Sequence, residues 1–260
     1  MANKQQQRRS GESSAWERLA QWFPALLAIL ICSIIVQRHY SPLPCTKLTI
    51  LDAMYADTTE LRTVASLEMS ASIDPALVAD RIQRHPWVRN ARGWCYQNGT
   101  ATVVVEERAP QLLVRDQQGA GAYYIDASGY RMPVLTGASF DVPLLTGLEE
   151  PYHPVRRVQD KTVQALARAL ARVDLETDAL ISELVLTPNG VRLYTGSATP
   201  SGTVEVLLGK NRVEEKLDRL AAFWRQAVAS QPGKRFQQID LRFDSQIITR
   251  ESNDPSGSRS

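Results

Sequence analysis

The alternation of apolar and polar positions divides the chain before any composition is counted. Residues 22–36 read WFPALLAILICSIIV, an apolar run without a charge. Counted back through Leu19, Ala20 and Gln21, the segment reaches about 18 residues, the length a helix needs to cross a hydrocarbon layer roughly 30 Å thick. Pro24 falls in the first turn, where a missing N–H costs little. A buried core helix would carry a polar stripe at 3.6-residue spacing, and none runs from Phe23 to Val36. The pattern therefore predicts a transmembrane helix over residues 19–37. Lys4, Arg8, Arg9 and Arg18 outnumber Glu12 and Glu17 before it, which keeps residues 1–18 cytoplasmic and the bulk on the far side. The following QRHYSPLPC has no small-x-small cleavage site, so the segment is read as a retained anchor.

Beyond the anchor, Pro42 and Pro44 make residues 38–45 an extended spacer. Residues 46–51 alternate as a first strand. Asp57 and Glu60 have capping-box spacing ahead of Leu61 and Val64, and Asp74-Pro75 opens a second helix with Leu77, Val78 and Ile82 inward. Two arms, Trp87 to Tyr96 and Thr100 to Glu107, flank Asn98-Gly99, the pair suited to a type I′ turn. Strand, two helices and hairpin in that order are the POTRA arrangement, predicted over 46–110. From 111 to 250 the chain breaks into short strands at 112–114, 122–125, 132–135, 142–145, 181–186, 191–194 and 203–208, with helices at 160–173 and 212–230. The last stretch, FQQIDLRFDSQIITR, alternates through Ile239, Leu241 and Phe243, breaks at Asp244-Ser245 and resumes over 246–249. Residues 251–260 lack a large apolar side chain and are expected to be disordered. The expected fold is α+β: a transmembrane helix, a POTRA domain, and a mixed, mainly antiparallel β domain with flanking helices.

Charge changes this picture little. Thirty basic and 28 acidic residues are interspersed for a net +2, which argues against a nucleic-acid partner. His39, His85 and His153 lie far apart, so no zinc pattern forms. Asp174, Glu176 and Asp178 imitate the start of a calcium loop, but Ala179 and Val185 occupy the positions that need Gly and Glu, and the trio is read as a solvated loop. No P-loop, dinucleotide fingerprint or nucleophile elbow occurs, and Glu106 and Glu107 read as strand-end charges. No enzyme, cofactor, metal or small-molecule substrate is expected. Cys32 lies inside the span, whereas Cys45 and Cys95 reach the oxidising side, where they either pair or remain two buried thiols.

Several strings in fixed order resemble the FtsQ/DivIB family of single-pass bacterial division proteins: HPWV (85–88), EERAP (106–110), YIDASG (124–129), VPLLTG (142–147), LGK (208–210), KLDRL (216–220) and IDLRFDSQIITR (239–250). Two departures stand out. Asp52-Ala53 replaces the glycine usual after the first strand, and Gln97-Asn98-Gly99 replaces a proline-containing hairpin turn. The resemblance implies a non-catalytic inner-membrane protein of the division site that binds FtsB and FtsL and other divisome membrane proteins. It implies a partner site in the C-terminal strand region at Arg242, Phe243, Ser245, Gln246, Ile247 and Thr249. A last strand with unpaired backbone groups would receive an extended segment by β-augmentation. Alternation alone instead puts Phe243 in the core and Arg242 on a solvated face. An anchored periplasmic cell-wall hydrolase, or a POTRA-bearing secretion component, are the competing readings.

Overall fold

The computed structural model describes residues 22–35, 44–66, 72–115, 121–154, 156–196, 202–228, 230 and 234–251. Residues 22–35 form helix α1, whose large apolar side chains, Trp22, Phe23, Ile29 and Ile34 among them, are all exposed. Among the described residues no helix is long and apolar enough to cross a membrane. At 1.5 Å per residue α1 covers about 21 Å, and residues 19–21 and 36–37 of the predicted span lie outside the described residues, as do 1–18 and 252–260.

A small sheet follows, built from β1 (Lys47–Leu51), helices α2 (Thr58–Ser66) and α3 (Pro75–Ile82), β2 (Val88–Cys95) and β3 (Thr100–Glu107). Its order is β1-β3-β2, with β1 parallel and β2 antiparallel to the central β3. The strand–helix–helix–hairpin order read from the sequence is thus present. Asp74 caps α3 by accepting from Ala76 and Leu77 N–H, and Pro75 takes the first helical position. Leu61, Val78 and Ile82 pack on Ala101, Val103 and Val105 of β3. Cys45 and Cys95 are joined, their Cα atoms 6.1 Å apart, so the chain is stapled to the end of β2 where it enters the sheet. Asp52 has φ +62°, the left-handed region a glycine would fill freely and aspartate tolerates.

Two local expectations are corrected. Asn98 does not take positive φ; only Gly99 does (+76°), and its N–H donates to Tyr96 O at 3.0 Å, giving a three-residue loop with a left-handed glycine instead of a type I′ turn. Asp57 caps α2 through Thr59 N–H at 2.7 Å, but the Glu60 carboxylate turns to His85 Nε2 at 3.6 Å, so the box is half formed. Glu107 is the strand-end charge expected, the last residue of β3, and its carboxylate accepts from Met54, Tyr55 and Ala56 N–H at 2.7–3.1 Å and fixes the turn after β1.

The large sheet has nine strands in the order β12-β11-β10-β9-β8-β7-β4-β5-β6. They are β4 (Pro110–Arg115), β5 (Ala122–Asp126), β6 (Arg131–Pro133), β7 (Leu144–Thr146), β8 (Ile181–Thr187), β9 (Gly190–Thr195), β10 (Glu205–Gly209), β11 (Phe236–Asp240) and β12 (Ile248–Glu251). Three pairs, β4/β7, β7/β8 and β10/β11, are parallel and the other five antiparallel, the mixed, mainly antiparallel sheet expected. Helices α4 (Lys161–Leu170) and α6 (Val213–Phe223) cover one face, burying Val163, Leu166, Leu217 and Leu220 against Leu184, Leu193, Val206 and Ile239. The trio Asp174, Glu176 and Asp178 is no loop: Asp174 caps a short helix, α5 (Leu175–Leu180), through Thr177 N–H and pairs with Arg225 at 2.8 Å.

The two sheets meet at Trp87. Its ring is fully buried, stacks on Phe140 with centroids 5.4 Å apart, and its Nε1–H donates to Pro133 O of β6 at 3.1 Å. Beside it Arg108, just past β3, pairs with Asp126 of β5 at 2.7 Å and lies over the Tyr130 ring.

Candidate functional site

The two ends of the large sheet differ. At one end, β6 is three residues long, contains Pro133 and has a carbonyl taken by Trp87. Short length, proline and covering are the usual protections of an edge. At the other end, among the described residues, β12 pairs only with β11, leaving alternate backbone N–H and C=O groups of its outer side without a ladder partner there.

How the chain reaches that edge follows from its side chains. Leu241 extends the β11 ladder by one bond, its N–H to Leu207 O at 3.0 Å, and is fully buried. The next residue turns away because the Asp240 carboxylate accepts from Arg242 N–H at 3.0 Å, Nε at 2.9 Å and Nη2 at 2.6 Å. Those bonds from Arg242 hold the Asp240 carboxyl below the usual range against the opposing effect of burial. Gly209, at φ +72°, makes room: a Cβ there would stand 3.1 Å from Arg242 Cγ.

Helix α6 then clamps the loop over residues 241–247. Arg219 donates to Phe243 O at 3.0 Å and Gln246 O at 3.3 Å, and Arg212 pairs with Asp244. Lys216, buried in α6, donates from Nζ to Leu208 O at 2.7 Å, and burial, followed by the charges of Arg212 and Arg219, lowers its pKa. Lys234 holds the far end of β12 through Glu251 at 3.2 Å.

The predicted residues divide over this geometry. Arg242, Phe243, Ser245, Gln246 and Ile247 lie on the loop and not on a strand, and Thr249 alone of the six lies on β12. Phe243 is 44 % exposed, so alternation misplaces it in the core; the period ends at Leu241. Ser245 and Gln246 are exposed, while Ile247 packs against the main core. Thr249 faces Ile239 across the ladder and is half-buried, whereas Ile248, opposite Asp240, is 46 % exposed. The residues that sequence reading missed are Ile248, which adds apolar surface to the edge, and the clamps Arg212 and Arg219. Arg219 was visible only as a letter of the KLDRL string.

Elsewhere the acidic groups are largely engaged. A cleft of about 470 Å³ at the junction of the sheets is lined by Arg84, Arg89, Arg108, Arg131 and Arg157, with no lining carboxylate among the described residues. Glu150 pairs with the buried Arg131 at 2.6 Å. Asp178 has its pKa raised by burial and then by the charge of Asp141, but Glu107, which lines the same groove, is committed to backbone N–H groups. Among the described residues no group of three or more His, Cys, Asp or Glu is placed to hold a metal ion.

Fold and edge together define an α+β protein whose large mixed sheet ends, among the described residues, in the strand β12. Residues 110–250 match the family described as "FtsQ/DivIB, C-terminal related". The chain is 45 % identical over 219 residues to "Cell division protein FtsQ" of Rhodothermus marinus, covering 83 % of this chain and 80 % of that one. It is 37 % identical over 210 residues to "Cell division protein FtsQ" of Salinibacter ruber, covering 78 % and 81 %. The chain belongs to the FtsQ/DivIB family of bacterial cell-division proteins.

Proposed function

We propose that this chain is a non-catalytic scaffold of the divisome, held in the inner membrane by residues 19–37, with a POTRA domain over 46–110 and a partner-binding β domain over 111–250. The open β12 edge carries this reading. An extended segment of FtsB, from the FtsB/FtsL pair, adds to β12 as a further strand, and its backbone supplies most of the affinity. Phe243 and Ile248 give the segment apolar anchors beside the edge, and the half-exposed Arg242 adds a positive charge for an acidic neighbour. The exposed apolar side chains of α1 support the anchor.

The test is capture of the organism's own FtsB and FtsL by the full chain, with Phe243→Ala and Ser245→Lys as probes. Both exposed positions can change without disturbing the core, so binding falls about tenfold or more, the loss of one apolar anchor or one clash in the loop that leads into the edge, while unfolding midpoints stay put. Capture undiminished in both variants sinks the assignment to this edge. An Asp178→Asn variant assayed on peptidoglycan addresses the hydrolase reading: the scaffold reading expects no cleavage by either protein.

A further inference from the structure

Among the described residues the small sheet has helices on one face only. Leu48, Ile50, Ala91, Ala101 and Val103 point to α2 and α3, and the opposite rows are Lys47, Thr49 and Leu51 on β1, Thr102 and Val104 on β3, and Arg92 and Trp94 on β2. This face is open except at its centre, where Thr102 is buried, and it is not evenly polar. Trp94 is 40 % exposed and Tyr96 50 %, and their rings meet edge to face with centroids 6.1 Å apart. Leu51 is exposed on the same face, and so are the cations Lys47 and Arg92. The carboxylate of these rows, Glu106, lies at the far end and is met by Arg89 at 3.4 Å.

The position of this patch relates it to the anchor. Trp94 and Tyr96 flank Cys95, which is bonded to Cys45, the residue at which the chain enters the sheet. Residues 38–45, even fully extended, reach about 28 Å, so Cys45 lies within that distance of the end of the anchor, with Cys95 and its flanking rings a Cα–Cα step of 6.1 Å further on. Indole and phenol rings prefer the water–bilayer boundary, where the ring is desolvated and its polar edge stays wet, and nearby lysine and arginine favour anionic headgroups. We propose that the open face of the small sheet, with Trp94 and Tyr96 leading and Lys47 and Arg92 beside them, docks on the phospholipid bilayer that holds the anchor. This rests on the reading of residues 19–37 as a membrane span. Docking would fix the tilt of the molecule and set the β12 edge at a constant height above the membrane.

The full chain, reconstituted in vesicles of phosphatidylcholine and phosphatidylglycerol, tests this in a Trp16→Phe, Trp22→Phe background. Trp87 and Trp224 are buried, which leaves Trp94 as the exposed indole among the described residues. Lipids carrying a doxyl quencher near the headgroup are expected to quench a component of the emission, and Trp94→Phe is expected to abolish that component while flotation with the vesicles persists. A chain that floats but whose emission ignores the quencher overturns the docking and leaves the anchor standing. A chain that does not float overturns both. Shielding of Trp94 that arises only when FtsB and FtsL are added assigns the face to a protein and also overturns the proposal.

Discussion

At the residue scale the candidate site depends on groups that do not themselves meet a partner. Asp240 is the clearest: a carboxylate whose side chain is 10 % exposed collects a backbone and two guanidinium donors and thereby ends β11. Asp240→Asn removes the charge that orients Arg242 and is expected to cost about 1.5–3 kcal/mol, the range for hydrogen bonds to a charged group, read from chemical denaturation. The sign of the pH dependence follows from the lowered pKa. The contribution of Asp240 is fully present above the ordinary carboxylate pKa and is lost as pH falls through the lower folded value. The stability difference between wild type and Asp240→Asn therefore shrinks toward strong acid; a difference unchanged across that window would refute the assignment. Residues acting on near neighbours were legible in sequence, as with the cap Asp74, whose N–H donors lie two and three positions on. Glu107 was not, because its donors sit on the turn after β1, with Asn98-Gly99 and the whole of α2 and α3 in between.

At the scale of elements, periodicity located nearly every strand and helix because each buries one face, but it could not say where burial stops. The alternation of β11 continues on paper through Phe243, yet the protein leaves the sheet at Leu241, since Asp240 and the α6 arginines offer the next residues better partners than the ladder does. Nor does periodicity reveal sheet order, and only the order shows that β12 is terminal and β6 covered. Along an edge strand the backbone N–H groups point alternately toward the neighbour and away. Proline scanned singly through Ile248, Thr249 and Arg250 is therefore expected to alternate in effect. Where the N–H points at β11, proline removes a ladder bond and loosens β12, seen as faster hydrogen exchange in residues 236–240. Where it points outward, exchange stays slow and FtsB capture falls. Equal capture by every folded proline variant would rule out strand addition at this edge.

At the scale of the whole molecule, the junction decides whether an event at the small sheet is felt at the large one. Trp87 is buried among Tyr55 from the turn after β1, Tyr124 of β5 and Phe140 from the loop between β6 and β7, and the cluster runs without a break from Val103 and Val105 to Met132. Ion pairing of Arg108 with Asp126, both side chains less than a tenth exposed, reinforces the contact. A junction with this content transmits force and position, so an anchor and a docked sheet face at one end would hold β12 at the other. Trp87→Ala tests the coupling. Emptying this site is expected to cost about 3–5 kcal/mol, with the Pro133 carbonyl left without its indole donor. If the sheets are one cooperative unit, hydrogen exchange accelerates in β5 and β6 as much as in β2 and β3, and a single unfolding transition moves to lower denaturant. Acceleration confined to the small sheet would mean that the two parts open independently, and the rigid geometry between membrane and partner edge would be lost with them.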